Sequence, residues 1–194
     1  TCFNNIGVIG RSDPENLSGV LSDVLCLLEK RSVNVMVLDS LESSVSGVYN
    51  FFTIEEIGEE ANLVVVVGGD GSLLHAARIL ALFDTPVIGV NRGRLGFLAD
   101  ISPDEIESQL TDVLEGEFTR EKRFLLNTSV SRNEEIIASA DALNDVVVSS
   151  GMSAQMIELE LYIDKQRAEI PANIGFEDGC QRSLYTLTDD GTIY

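Results

Sequence analysis

The run Leu63-Val64-Val65-Val66-Val67-Gly68-Gly69-Asp70-Gly71-Ser72 passes from uniformly apolar residues into three glycines within four positions, and a helical pattern begins at once. Glycines let the backbone turn with positive φ, and without a Cβ they let a ligand reach main-chain N–H groups. The start of the following helix adds unpaired donors and partial positive charge, so the segment is a candidate phosphate cradle. Asp70 decides what such a cradle can do. A carboxylate beside phosphates is repelled unless a metal ion bridges them or it has a proton to remove. A divalent ion such as Mg²⁺ meets the first condition, and an aspartate aimed at a substrate hydroxyl, acting as general base for phosphoryl transfer, meets the second. The residue types alone leave open a tight strand-to-helix turn with Asp70 as a helix cap. The carboxyl end of a parallel strand is where such sheets bind ligands, which favours the chemical reading.

Two further segments carry suitable groups. Asn91-Arg92-Gly93-Arg94-Leu95-Gly96-Phe97-Leu98 follows another apolar run, Pro86 to Val90. Arg92 and Arg94 suit anionic ligand groups and Phe97 suits packing against a base, although a basic surface loop with Phe97 in the core fits equally well. In Ala142-Leu143-Asn144-Asp145 the amide and carboxylate suit ribose hydroxyls, but an Asn-Asp pair before a strand also makes an ordinary turn. His75, the one histidine, lies inside the helix after the glycines and ranks below Asp70. No GxxxxGK[ST] occurs, and Gly7 and Gly10 lack the GxGxxG spacing, so a nucleotide would bind through Gly68 to Ser72.

These segments need a scaffold that brings them together. Ile6–Gly10, Val33–Leu38, Leu63–Val67 and Pro86–Val90 read as strands buried on both faces. Leu17, Val20, Leu21, Val24 and Leu28 place an apolar stripe on a helix from about Glu15 to Arg31. Alternation of such strands with helices over the first 116 residues predicts a parallel sheet covered by helices. Ser102-Pro103-Asp104-Glu105 predicts a helix start, with the helix running to about Leu114 and stopping before Gly116. Beyond it the period becomes two: Ile157, Leu159, Leu161 and Ile163 alternate with polar neighbours, and Phe124–Val130 and Val146–Val148 also read as strand. The change places a domain boundary near Gly116 to Lys122. From Lys165 to Tyr194 neither period persists, and the segment reads as irregular.

Composition narrows the partners. The 194 residues carry 13 Lys+Arg against 32 Asp+Glu, a formal charge of −19, with 44% hydrophobic residues. A core is affordable, but the clustered cations of a nucleic-acid surface are absent, so nucleic acid is not expected. No apolar stretch approaches the roughly 18 residues of a membrane helix, and no membrane partner is expected. Thr1–Gly10 does not resemble a secretory signal, and the missing initiating Met suggests a processed or partial chain. Cys2, Cys26 and Cys180 are odd in number with no CxxC pair, which fits a reducing, cytoplasmic setting better than a disulfide or zinc framework.

Taken together, Gly68-Gly69-Asp70-Gly71-Ser72-Leu73-Leu74, Asn91-x-Gly93-x-Leu95-Gly96-Phe97-Leu98 and Leu143-Asn144-Asp145 resemble the bacterial type of NAD kinase, over about Ile6 to Asp164. The glycine loop alone is shared with 6-phosphofructokinases and diacylglycerol-type lipid kinases; the later segments in order make the likeness specific. The resemblance implies an α/β nucleotide-binding domain of the NAD kinase/diacylglycerol kinase type over residues 1–120. The start of a β-rich NAD-binding domain over 121–164 and an unmatched tail over 165–194 would follow. It implies transfer of the γ-phosphate of ATP to the 2′-hydroxyl of the adenosine ribose of NAD, with Mg²⁺ or another divalent metal. Asp70 would be the base or metal partner, and Gly68, Gly69, Gly71 and Ser72 would hold phosphates. Leu74 and Phe97 would line the NAD pocket, Asn91 and Arg94 would belong to the nucleotide site, and Asn144 with Asp145 would grip NAD. Family members assemble as homo-oligomers through the β domain.

The chain departs from the family after Asp164. Members continue with a DG-x-x-x-x-TPTGSTAY-like segment that supplies adenine and ribose contacts, whereas here only Asp178-Gly179 and Asp190-Gly191 echo it. A truncated or altered NAD kinase is therefore expected, with weak NAD binding and with apolar strand surface left uncovered between Phe124 and Asp164. Two alternatives remain: a non-catalytic remnant or interaction module, and a lipid or sugar kinase that shares the glycine loop.

Overall fold

All four apolar runs become strands of one parallel sheet. The computed structural model describes residues 2–11, 18–92, 98, 101–147, 160–163, 165–168 and 192–193. The chain divides into two compact units, Thr1–Glu121 and Lys122–Tyr194. In the first, β1 (Asn5–Gly10), β2 (Asn34–Leu38), β3 (Asn50–Phe52), β4 (Leu63–Val67) and β5 (Val87–Val90) stand in the order β3-β2-β1-β4-β5. Every pairing is parallel. All five residues of β4 are buried, which is why that run carries no polar residue.

Helices cover both faces. α1 (Ser18–Lys30) lays Leu21, Val24, Leu25 and Leu28 on one face, against Ile6, Val8, Val65 and Val67. Fully burying each such leucine is worth about 1.5–3 kcal/mol. The helical segment from Pro103 to Glu115 shares that face through Ile106, Leu110 and Leu114. On the other face, α2 (Ile54–Glu60) and α3 (Asp70–Leu80) bring Ile57, Leu73, Ala76 and Leu80 against Ile9, Val64 and Val66. The result is the three-layer α/β arrangement expected for the first domain.

Two expectations need correction here. The helix predicted from Ser102 to Leu114 is a 3-10 turn at Pro103–Glu105, a π-helical turn at Ile106–Leu110 and only then an α-helix, α4 (Thr111–Glu115). Ser102 does not cap it: its Oγ donates to the Glu105 carboxylate at 2.8 Å. Ile106, Leu110 and Leu114 recur every fourth residue, a spacing that drifts roughly 40° per step on an ideal α-helix, and a wider first turn keeps all three on the sheet. Gly116 ends the segment as expected, in the left-handed region at φ +100°. The second correction is an addition, since β3 and α2 have no counterpart among the predicted elements. α2 is seven residues held by a reciprocal cap: Thr53 Oγ1 accepts Glu56 N–H at 3.2 Å and Glu56 accepts Thr53 N–H at 2.8 Å. Such a cap is worth about 1 kcal/mol.

In the second unit, β6 (Leu126–Arg132) and β7 (Glu135–Ala142) form an antiparallel hairpin closed by Asn133 and Glu134, both at positive φ. The strand expected at Phe124–Val130 thus begins two residues later and continues to Arg132. Residues 145–147 are not strand, against the expectation for Val146–Val148, and Val148 lies outside the described residues. Of the alternating segment, β8 (Leu161–Ile163) is described, paired antiparallel with β9 (Gln166–Ala168), while Ile157 and Leu159 lie outside. The tail is not wholly irregular, because β9 and β10 (Thr192–Ile193, parallel to β6) fall within it. Among the described residues, no helix is long and apolar enough to cross a membrane.

Candidate functional site

The strand order creates the site before any side chain is considered. β1 and β4 are neighbours although β2 and β3 intervene in sequence, so the chain leaves β1 toward β2 and leaves β4 toward β5. Connections that diverge in this way leave a crevice at the strands' carboxyl ends. Gly68, Gly69, Asp70, Gly71 and Ser72 are the first residues beyond β4, at that crevice.

The glycines act differently from the expectation of positive φ. Among the described residues, positive-φ glycines occur only at Gly47 and Gly116. The chain instead passes through extended Gly69, at φ −98° and ψ −174°, directly into α3, so no left-handed step is needed. Gly68 is required by proximity: a Cβ there would lie 2.5 Å from Ser72 Oγ and 2.6 Å from Ser72 Cβ. Among the described residues, a Cβ at Gly69 or Gly71 would meet nothing within 4 Å. That open side, next to the positive end of α3, is where a ligand can reach the main chain.

Asp70 occupies the first helical position, and the residue in the cap position is Gly69, so the alternative of Asp70 as a helix cap does not hold. Its Oδ1 accepts the Leu98 N–H at 3.0 Å. This bond draws the segment beyond β5 to the glycine turn, and sequence reading missed it because the partners are 28 residues apart. A second tie is the Gly68 N–H donating to Val90 O at 2.9 Å. Asp70 is half-buried, and a carboxylate offers about four acceptor positions.

The other predicted residues fall as follows. Ser72 is 9% exposed with its side chain against Gly68, and Leu74 is half-buried on α3. Asn91, at 4% exposure, follows β5, and its N–H donates to Ile101 O at 2.8 Å. Arg94 and Phe97 lie outside the described residues, as do Gly93, Leu95 and Gly96, while Arg92 is half-buried. Asn144 is exposed and Asp145 half-buried in the second unit, just after β7. His75 is exposed on α3. Cys2 and Cys26 are free thiols, and Cys180 lies outside the described residues.

Among the described residues, no group of three or more His, Cys, Asp or Glu side chains can hold a metal. A divalent ion at this turn would therefore take most of its ligands from phosphates and water, with Asp70 as the protein oxygen. Mg²⁺ is commonly held that way, so the residues present fit it.

Comparison with known proteins agrees with this architecture. A family model described as the ATP-NAD kinase N-terminal domain matches residues 6–118. An NAD kinase from Azotobacter vinelandii is 46% identical over 165 residues, covering 84% of this chain and 56% of its own. One from Chromohalobacter salexigens is 48% identical over 166 residues, with the same shares. Among solved structures, a yeast NADH kinase complexed with NADH superposes with a TM-score of 0.71, covering 86% of this chain and 54% of that one; at 19% identity it speaks to the fold alone. An NAD kinase from Archaeoglobus fulgidus in complex with ATP gives 0.58 at 25% identity, covering 85% and 56%. The chain spans about half the length of the curated relatives it matches.

Proposed function

The chain belongs to the ATP-NAD kinase family, and from that premise we propose that it transfers the γ-phosphate of ATP to the 2′-hydroxyl of the adenosine ribose of NAD, giving NADP and ADP. The observation that carries this reading is the half-buried Asp70 carboxylate at the first position of α3, between Gly69 and Gly71, whose Cβ positions face open space. Phosphates lie along the open side of that turn, held by main-chain donors and the α3 N-terminus. Asp70 accepts the proton of the ribose hydroxyl as its oxygen bonds to the γ-phosphorus, and the bridging oxygen leaves with ADP. Mg²⁺, when bound, supplies charge neutralisation between the phosphates and Asp70.

Leu74, Asn91, Arg94 and Phe97 are assigned to the nucleotide site, and Asn144 with Asp145 to NAD, on the family pattern. A cytoplasmic setting goes with the free thiols Cys2 and Cys26. The second reading is a non-catalytic remnant or interaction module. One assay separates the two. NADP formation from NAD, ATP and Mg²⁺ is measured with the chain and with Asp70→Asn, and the variant is expected to lose roughly 10²–10⁴-fold in rate, the usual contribution of a positioned base. Turnover unaffected by the substitution overturns the role of Asp70, and no turnover in either protein selects the non-catalytic reading.

A further inference from the structure

Arg11 is the first residue beyond β1, and the register places it at the mouth of the same crevice. Gly10 pairs with Val67, so the next positions on the two strands are Arg11 and Gly68. The alternation of side chains tells which face they take. Ile6, Val8, Val65 and Val67 belong to the cluster under α1, whereas Ile9, Val64 and Val66 belong to the cluster under α2 and α3. One more step of that alternation puts positions 11 and 68 on the α3 side, where Gly69 and Asp70 begin the helix.

Its chemistry is as telling as its place. Arg11 is exposed, and among the described residues it makes no hydrogen bond or ion pair. In a chain with 13 Lys+Arg against 32 Asp+Glu, carboxylates outnumber cations heavily, yet among the described residues this guanidinium has no carboxylate partner. A molecule of charge −19 repels polyphosphates at long range, so capture requires a local cation where the phosphates enter. A guanidinium fork suits phosphate oxygens in particular, because two parallel N–H bonds can form to one phosphate.

We propose that Arg11, beside Gly68 in the sheet register, is a phosphate-binding residue that grips the phosphates of the nucleotide held at the glycine turn. This rests on the phosphoryl-transfer reading above and adds to it a cation just beyond β1, which the sequence segments singled out do not contain. The test is calorimetric titration of the full chain with ATP and, separately, with NAD, for the wild type, Arg11→Ala, Arg11→Lys and Lys30→Ala. Lys30 is exposed at the far end of α1, so its loss changes the net charge equally but away from the crevice.

Arg11→Ala is expected to weaken binding roughly ten- to hundredfold while melting like the wild type, because a hydrogen bond to a charged group is lost at an exposed position. Arg11→Lys should recover part of the loss, and it carries the same test should the alanine variant melt early; Lys30→Ala should bind like the wild type. A loss seen with ATP assigns Arg11 to the donor triphosphate, and a loss confined to NAD assigns it to the dinucleotide's pyrophosphate; either supports the proposal. If Arg11→Ala binds both ligands as the wild type does, Arg11 is merely solvated and the proposal is wrong, while the phosphoryl-transfer reading stands. A wild-type chain that binds neither ligand overturns both.

Discussion

Gly68 and Gly69 are adjacent and chemically identical, yet the structure asks opposite things of them. At Gly68 the constraint is internal, since a methyl group would meet the Ser72 side chain at 2.5–2.6 Å. Neither Ser72 Cβ nor the α3 backbone behind it can retreat without moving the helix, and forced overpacking of this kind costs about 1–3 kcal/mol. At Gly69 the constraint is external: the backbone is extended and a methyl group would stand in open space. Gly68→Ala should therefore lower the thermal midpoint. Gly69→Ala should melt close to the wild type yet lose ATP binding, because its methyl group occupies the approach to the main-chain donors. Differential scanning calorimetry with and without ATP checks both. A Gly69→Ala protein that binds ATP normally would place the phosphates elsewhere than on this turn.

Between elements, Tyr49 fastens the chain ahead of β3 to α1. Its hydroxyl donates to Glu29 at 2.6 Å while the ring packs against the core under α1. Burial of the phenol, the bond to Glu29, the negative charge of Glu29 and that of the Cys26 thiolate together push its pKa from 10.0 up to about 12. The folded protein then holds this proton more tightly than the unfolded chain does. The associated stability is complete below pH 10 and is lost as pH rises from 10 toward 12. Urea midpoints measured at pH 9 and pH 11.5 should show a larger alkaline loss for the wild type than for Tyr49→Phe, which has no proton to lose. Equal losses would place the phenol's pKa near its ordinary value. The same region shows what sequence reading can reach. Leu63–Val67 and Ile6–Gly10 were legible because burial on both faces demands an unbroken apolar run, and α1 because its stripe repeats over three turns. β3 is three residues long and α2 only seven, too short for either period to register, although Thr53 and Glu56 carry the capping signal. The position of Asp70 could be read from strand, glycines and helix in order. Its bond to Leu98 could not, because that contact is made by the fold rather than by neighbours in sequence.

At the scale of the whole molecule, the described part of the second unit exposes several large apolar side chains. The pairing of β6 with β7 puts Leu126, Thr128 and Val130 on one face with Ala138, Ala140 and Ala142, and past the irregularity near Val130 the alternation of β7 adds Ile136. Val130 is 51% exposed, Ile136 67% and Phe124, just ahead of β6, 70%. Exposed apolar side chains on one strand face draw molecules together, and the strong negative charge opposes this through a repulsion that salt screens. Two opposing terms with different salt dependence make a definite forecast. The chain should stay dispersed at low ionic strength and associate as salt is raised, with a steeper dependence on protein concentration above roughly 0.15 M, where the screening length falls to about 8 Å. Ile136→Lys combined with Val130→Thr removes much of the attraction and should hold the protein monomeric across the same range. Light scattering at several salt and protein concentrations measures this directly. Association that weakens as salt rises would mean that charge pairing, not the apolar face of the hairpin, holds the molecules together.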